Sequence, residues 1–405
     1  MALTVPIDGW TAPGLEAVRD AFAANFAREG DYQELGAALC VYRDGACVID
    51  LWGGFADAAR RRPWTPDTLV NVWSTTKLAA AMTVAWLVDQ GRLRYDQPVA
   101  DVWPQFAAAG KAGVTVAQVM SHQAGLPGWI EPTTLDDLYD QGLVAGRLAA
   151  QAPAFEPGTA NSYHAVTYGV LAAEIVRRAC GRTLGQVFRE EIAGPLNADF
   201  HIGLPGAEQG RVAELLPPKS PVDMAGLDLP APAKMALTNP GQDPTRPNDA
   251  RFRAAELPAL NGQASARGVA RLAAALAQGG ELDGVRILSR ETLARMCVIA
   301  ADRPDLMLGF NPQWGMGVAH NLIGVFGTNP ATIGHSGWGG SFGSADPDGR
   351  IAIGYVLNQM GSELVGDPRG KGLADAVYAA LGQPAPAVAE AAAPSVAIAR
   401  SLMAL

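Results

Sequence analysis

Apolar positions along this chain take two textures, short crowded runs near both ends and helical stripes between them. From Thr11 to Glu29, Leu15, Val18, Phe22 and Phe26 recur at three- and four-residue spacing, which predicts one buried helix face. Pro13 suits the first turn of that helix. Ala37 to Tyr42 and Ala46 to Trp52 are two apolar runs around Arg43-Asp44-Gly45. An Asp-Gly pair between such runs is a hairpin signal. Both runs are apolar nearly throughout, so their sheet is expected to be covered on both faces.

The stretch from Leu69 to Trp73 leads into Ser74, and Leu78 to Val88 follows with no glycine or proline before Gly91. This predicts a helix opening at or near Ser74. Its positions Leu78 to Met82 and Val84 to Leu87 are all apolar, as in a central helix buried all round. Further helices are expected over Thr115 to Met120, Leu135 to Ala149 with Thr134 as its cap, Val166 to Ala179, and Leu184 to Ile192. Two more follow, from Ser265 as N-cap to Gln278 and from Ser289 to Val298, and Gly370 to Leu381 closes the series. Strand texture returns at Trp314 to His320, Thr332 to His335 and Ile351 to Leu357, with Asp346-Pro347-Asp348-Gly349 as the turn before the last.

Pro217 to Pro258 holds nine of the 29 prolines and little periodicity, and reads as a long loop serving as a pocket wall or lid. Pro384 to Pro394 is Ala/Pro-rich and is expected to be extended or mobile. Strands at both ends with helices between predict an α/β architecture. One antiparallel sheet forms from N- and C-terminal strands flanked by helices, and a mainly helical lobe stands beside it. The expected division is 1–70 with 295–382 as the sheet lobe, 71–294 as the helical lobe carrying the candidate nucleophile, and 383–405 as a tail. A length of 405 residues accommodates two such units.

Composition narrows the partners. A net charge of −9 argues against nucleic acid or an anionic membrane. No apolar run reaches the roughly 18 residues of a membrane span. Met1 to Trp10 shows no basic region followed by an apolar stretch, so a soluble cytoplasmic protein is expected. Cys40, Cys47, Cys180 and Cys297 lack C-x-x-C spacing and read as reduced core thiols. Five histidines without metal-ligand spacing predict no metal site, no cofactor is expected, and no pattern fixes an oligomeric state.

The chemistry-bearing stretch is Ser74-Thr75-Thr76-Lys77. Residues three apart share a helix face. A serine at a helix N-terminus sits near free backbone N–H groups in a positive field. A desolvated lysine beside it can take the hydroxyl proton. A capping serine with a solvated lysine is the plainer alternative. The chain has only five lysines and this one S-x-x-K, at the head of a helix with no polar face, which favours the buried reading. A second serine, Ser341 in Gly339-Gly340-Ser341-Phe342-Gly343, fits G-x-S-x-G. Its context is wrong for a nucleophile elbow. Turn-forming residues, Ser344 to Gly349, follow it in place of a helix, and no histidine comes after His335.

Ser74-x-x-Lys77, Tyr163-His164-Ala165 and His335-Ser336-Gly337-Trp338 occur in that order. With Ser121-His122-x-Ala124-Gly125-Leu126-Pro127 and Pro157-Gly158-Thr159, they resemble the serine β-lactamase and penicillin-binding superfamily over roughly residues 10–382. The closer resemblance is to its class C-like branch, the family VIII carboxylesterases. It implies a β-lactamase-like fold and a serine hydrolase acting through an acyl-enzyme. Ser74 would be the nucleophile. Lys77 and Tyr163 would share the general-base work, Tyr163 as a phenolate or proton relay. The N–H groups of Ser74 and Trp338 would form the oxyanion hole, and His335 and Gly337 would contact substrate.

Two departures bear on substrate. The lactamases carry Lys-Thr-Gly where this chain has His335-Ser336-Gly337, and a histidine of ordinary pKa is only fractionally charged near neutrality. Ala165 replaces the asparagine of Tyr-x-Asn. Both losses favour small uncharged esters over β-lactams. A β-lactamase, D-aminopeptidase or oligoamide hydrolase shares the machinery, and a silent binding protein on this fold is the alternative outside enzymes.

Overall fold

The computed structural model describes residues 5–220 and 229–382. Strands β1 (Ile7–Thr11), β2 (Gly36–Arg43) and β3 (Ala46–Gly54) come from the start of the chain. Short strands β4 (Val70–Asn71), β5 (Phe200–His201) and β6 (Gln263–Ala264), and the pair β7 (Glu281–Leu282) and β8 (Val285–Arg286), lie in its middle. β9 (Ala319–His320), β10 (Ile333–Ser336), β11 (Phe342–Asp346) and β12 (Ile351–Leu357) follow. The main sheet runs β1-β3-β2-β12-β11-β10-β9, antiparallel throughout. N- and C-terminal strands thus meet at β2 and β12, as expected. Asp44 and Gly45 both take positive φ, 51° and 80°, which is what a two-residue hairpin turn between β2 and β3 requires.

The period-2 alternation of the central strands divides two cores. On one face Leu39, Val41, Ile351, Ile353 and Tyr355 meet α1 (Glu16–Phe26) and α11 (Pro368–Ala380) through Val18, Phe22, Leu373 and Val377. On the other, Ala38, Cys40, Ala352 and Val356 join the core that holds α2 (Thr76–Asp89) and α9 (Ala266–Ala277). The expectation of a sheet covered on both faces holds. α2 buries every residue from Thr76 to Val88 except Trp86, which is partly exposed. It packs against α5 (Thr167–Cys180), α6 (Leu184–Phe188) and α10 (Arg290–Cys297). The remaining helices are α3 (Val116–Met120), α4 (Gln141–Ala150), α7 (Ala231–Thr238) and α8 (Ala250–Ala254). Ser265 caps α9 as predicted, Ser289, read as the first residue of its helix, caps α10, and Thr115 closes a capping box with Gln118.

Several boundaries differ for identifiable reasons. The first helix begins at Glu16, not Thr11, because residues 7–11 form the edge strand paired with β3. Pro13 therefore sits in the turn between strand and helix. The helix expected over Leu135 to Ala149 is a 3₁₀ turn at Asp137–Tyr139 and then α4, which Asp140 caps by accepting the Leu143 N–H. Leu184 to Ile192 changes to a π turn at Arg189–Ala193. Only Ala319–His320 of the stretch from Trp314 is strand. Ser344 to Asp346, read as turn-forming, lie inside β11. The Asp346 carboxylate accepts from Tyr378 Oη and Asn329 Nδ2, so a central strand can hold it.

The stretch read as a long loop from Pro217 carries α7 and α8 within its described part. Ala233 and Ala236 of α7 pack in one cluster with Tyr163, but no described residue of the stretch lines the cavity beside Ser74. Pro384 to Pro394 and the 383–405 tail lie outside the described residues. No helix among the described residues is long and apolar enough to cross a membrane.

α9 lies so close to β12 that a Cβ on Gly354 would sit 2.5 Å from Ala266 O and Ala270 N. Gly354→Ala is expected to push helix and sheet apart and destabilise the fold by about 1–3 kcal/mol. A shift in the urea midpoint at unchanged slope checks this. An unchanged midpoint would mean that the layer gives way freely.

Candidate active site

The turn ahead of α2 is held from several sides. Val72 N–H donates to Gly262 O at 2.9 Å, and Thr76 N–H donates to Trp73 O at 2.9 Å. Trp73 adopts φ 44°, in the left-handed region that a bulky side chain rarely enters. Its ring packs on Trp338 at 5.2 Å and Phe252 at 6.3 Å between centroids. Such strain persists only where the surroundings over-determine it, and it gathers at functional sites. Here it turns the half-buried Ser74 toward the cavity.

Lys77 N–H donates to Ser74 O at 2.9 Å, so the two residues stand one turn apart on one face. Lys77 is fully buried, with Nζ 3.0 Å from Ser74 Oγ, 2.8 Å from Ala165 O and 3.1 Å from Ala259 O. The rings of Tyr163 and Tyr168 cover it, with centroids 4.8 Å and 5.9 Å from Nζ. Among the described residues no carboxylate pairs with it. Burial pushes its pKa well below the ordinary lysine value, which favours the free amine. A free amine has two N–H bonds and one lone pair. The two carbonyls take the N–H bonds, and the lone pair is left facing the Ser74 hydroxyl.

Tyr163 is placed by a residue that sequence reading missed. Its N–H donates to Asp305 Oδ1 at 2.9 Å. The same buried carboxylate accepts from the N–H groups of Met307 and Leu308, from Asn161 Nδ2 and from Trp314 Nε1. The Tyr163 ring stacks on Trp314, 5.6 Å between centroids and 9° between planes. Asp305 accepting from residues two and three ahead is a common local turn pattern, so nothing in the sequence sets it apart.

Burial raises the Tyr163 phenol, the Asp305 charge raises it further, and only the Ser74 hydroxyl lowers it. The phenolate expected at this position is therefore corrected to a neutral phenol. That expectation required an ammonium beside it, and the buried lysine disfavours one. A proton-carrying relay remains open to it.

His164 ties two motifs together. Its N–H donates to His122 Nδ1 at 3.0 Å, its Nε2 accepts from Leu126 N–H at 3.2 Å, and its Nδ1 meets Ser162 O at 2.6 Å. The Ser121–Pro127 loop and Tyr163-His164-Ala165 are thus one hydrogen-bonded unit.

Across the cavity, Gly337 N–H donates to Ser341 O at 2.7 Å and Gly340 N–H donates to Gly337 O at 3.1 Å. Among the described residues the N–H groups of Ser74 and Trp338 find no backbone acceptor. Gly337 itself lies behind the cavity wall, where a Cβ would come 2.2 Å from Val72 O. His335 Nδ1 donates to Ser336 O at 2.8 Å, which leaves a lone pair on Nε2, buried and without a protein partner. Burial and the nearby Lys77 push its pKa down to about 3. The expectation of a partly charged His335 near neutrality is corrected accordingly.

Leu308, Phe310, Pro312, Ala319, Ile323, Val325, Phe326, Ser336, Leu364 and Val365 complete the cavity around Ser74, Tyr163, Trp314, His335 and Trp338, together with His320, whose pKa burial holds below the ordinary histidine value. Among the described residues none that lines it is Lys, Arg, Asp or Glu.

A family model described as Beta-lactamase matches residues 19–377. The chain belongs to the β-lactamase family. Among its β-lactamase family relatives, the Mycobacterium tuberculosis protein named Esterase/beta-lactamase LipL is 38% identical over 349 residues, covering 82% of this chain and 78% of that protein. The crystal structure of a family VIII carboxylesterase matches with a TM-score of 0.87 and 47% identity, covering 93% of this chain and 100% of that one. A penicillin-binding protein homolog from Caulobacter crescentus matches with a TM-score of 0.87 and 43% identity, over 93% of this chain and 100% of that one. Within the β-lactamase family, this chain combines the buried Ser74–Lys77 pair with a neutral histidine at the third motif.

Two outcomes follow from the electrostatics. For a neutral substrate, kcat/KM is expected to rise with pH as the Lys77 ammonium loses its proton and to stay level above that point. The midpoint should lie well below 10.5, and His335 should add no inflection between about pH 5 and 9. A midpoint near 10.5 would mean a solvated lysine. Asp305→Asn places an amide opposite Trp314 Nε1, an indole that can only donate. It should cost about 1–3 kcal/mol of stability and lower kcat by about 10²-fold through a misplaced Tyr163. Chemical denaturation and steady-state kinetics check both effects, and wild-type kcat would mean that Tyr163 needs no such support.

Proposed function

We propose that the protein is a serine carboxylic ester hydrolase that works through an acyl-enzyme on Ser74. The observation that carries this reading is Lys77 Nζ, buried and, among the described residues, without a carboxylate partner, 3.0 Å from Ser74 Oγ at the edge of a cavity that no described Lys, Arg, Asp or Glu lines. The relatives named as esterases support it.

In the proposed reaction Lys77 takes the Ser74 proton while Oγ attacks the ester carbonyl. Charge develops on the carbonyl oxygen, where the N–H groups of Ser74 and Trp338 receive it. Each such donor contributes about 2.7–4 kcal/mol in comparable sites. On collapse, Tyr163 protonates the departing alkoxide and regains its proton from the Lys77 ammonium. Water then attacks the acyl-enzyme with the same base, and the acid leaves as the free amine is restored.

Substrate preference follows from charge. A β-lactam carries a carboxylate, and burying an ion without a partner is costly. Among the described residues no lysine or arginine lines the cavity, and burial disfavours the charged form of both its histidines, His335 and His320. Uncharged esters with apolar acyl or aryl groups suit the walls. The spacing of the four cysteines, which forms no C-x-x-C pair, supports a reducing, cytoplasmic setting.

The test compares kcat/KM for p-nitrophenyl esters from acetate to decanoate with that for a chromogenic cephalosporin. Esters are expected to lead by at least about tenfold, about 1.4 kcal/mol of transition-state preference. Ser74→Ala should abolish both ester turnover and labelling by a fluorophosphonate. A cephalosporin cleaved faster than every ester would replace this reading with the β-lactamase one.

A further inference from the structure

The G-x-S-x-G serine, Ser341, lies at the end of the loop that carries the Trp338 N–H, and its side chain is buried. Its Oγ donates to Val72 O at 2.9 Å and lies 3.1 Å from Thr75 Oγ1. A hydroxyl has one proton. With that proton directed at Val72 O, the Thr75 hydroxyl is the donor of the second bond. Both partners belong to the turn that presents Ser74, one on either side of it.

We infer that Ser341 is a positioning residue, whose hydroxyl sets the separation between the N–H groups of Ser74 and Trp338. This rests on the reading of that pair as the oxyanion hole. Three further observations support it. Ser341 O accepts the Gly337 N–H, so the same residue also closes the loop around Trp338. The loop is pressed against the nucleophile's turn, since a Cβ on Gly337 would be 2.2 Å from Val72 O and 2.3 Å from Ser341 Oγ. From the opposite side, fully buried Arg369 donates to Gly339 O at 3.1 Å, and Gly339 N–H donates to Glu363 O at 3.0 Å. The loop is therefore held at both edges, and Ser341 supplies the hold that reaches the nucleophile.

Alanine at 341 fits the same space and removes both bonds. A passive core serine would lose stability only. A positioning serine loses transition-state affinity, because donors placed for the tetrahedral oxygen matter little to the bound ester.

The test uses the full chain with Ser341→Ala, and reads kcat, KM and the inhibition constant of an alkyl boronic acid whose tetrahedral adduct occupies the oxyanion position. Ser341→Ala is expected to lower kcat about 10–100-fold with KM within about twofold, and to weaken the boronic acid by a similar factor. Thr75→Val keeps the side-chain shape, removes the donor to Ser341 Oγ, and should move both values the same way by less. Should Ser341→Ala not fold, Thr75→Val alone decides the matter. Unchanged kcat and boronate affinity in the folded variants would overturn the inference, as would a loss confined to KM. Fluorophosphonate mapping separates this from failure of the underlying reading. Adduct on Ser74 in the wild type keeps that reading whatever Ser341 does, and adduct on Ser341 removes both.

Discussion

Lys77 gives up its hydration to lie among α2, two tyrosine rings and two backbone carbonyls, and among the described residues meets no carboxylate in return. Burial of an ion costs several kcal/mol unless it is compensated, so the surroundings favour the free amine. Much of the site is organised by that condition. A neutral lysine gives Tyr163 no reason to ionise, and the phenol stays protonated. His335, equally buried, stays neutral too. The resting cavity is a set of uncharged polar groups in apolar walls. Charge arises only as the reaction proceeds, which is where fixed dipoles in a dry site act most strongly.

The full charges near this cavity are kept behind its walls by dense hydrogen bonding. Asp305 is satisfied by neutral donors alone, and it spends them on placing Tyr163 and Trp314. Arg369, at the back of the Gly337–Ser341 loop, is matched by Glu34 at 2.9 Å and Asp367 at 2.7 Å, all buried. The Glu34 carboxyl is itself pushed up to about 7 by burial, with Arg369 opposing. Breaking such a network by removing one partner is far more disruptive than its net stabilisation suggests. The walls thus combine an uncharged face toward the cavity with ion-paired support behind it.

Much of this was legible in the sequence. The all-apolar run after Ser74 required a central helix, and Asp44-Gly45 required a tight hairpin. The serine before one helical stripe marked a real cap at Ser265. What failed had physical causes. Protonation of Tyr163 and His335 depends on burial from every side, which no local spacing encodes. Asp305 sits in a stretch without periodicity and joins Tyr163 across the fold. β11 was hidden because Ser344 and Asp346 are polar, and the partners that let Asp346 sit in a strand, Tyr378 and Asn329, are distant in sequence. Ser341 fitted a known pattern in the wrong context, and only its contacts with Val72 and Thr75 reveal a different place for it.

The cavity walls have a different origin from the groups they surround. Ser74 and Lys77 head a helix sunk in the main core, whereas Leu308, Phe310, Pro312, Ile323, Leu364 and Val365 lie in segments between regular elements. Changes in connecting segments are tolerated far better than changes in a packed helix. The walls can therefore change in shape with little disturbance to the helix that carries Ser74 and Lys77.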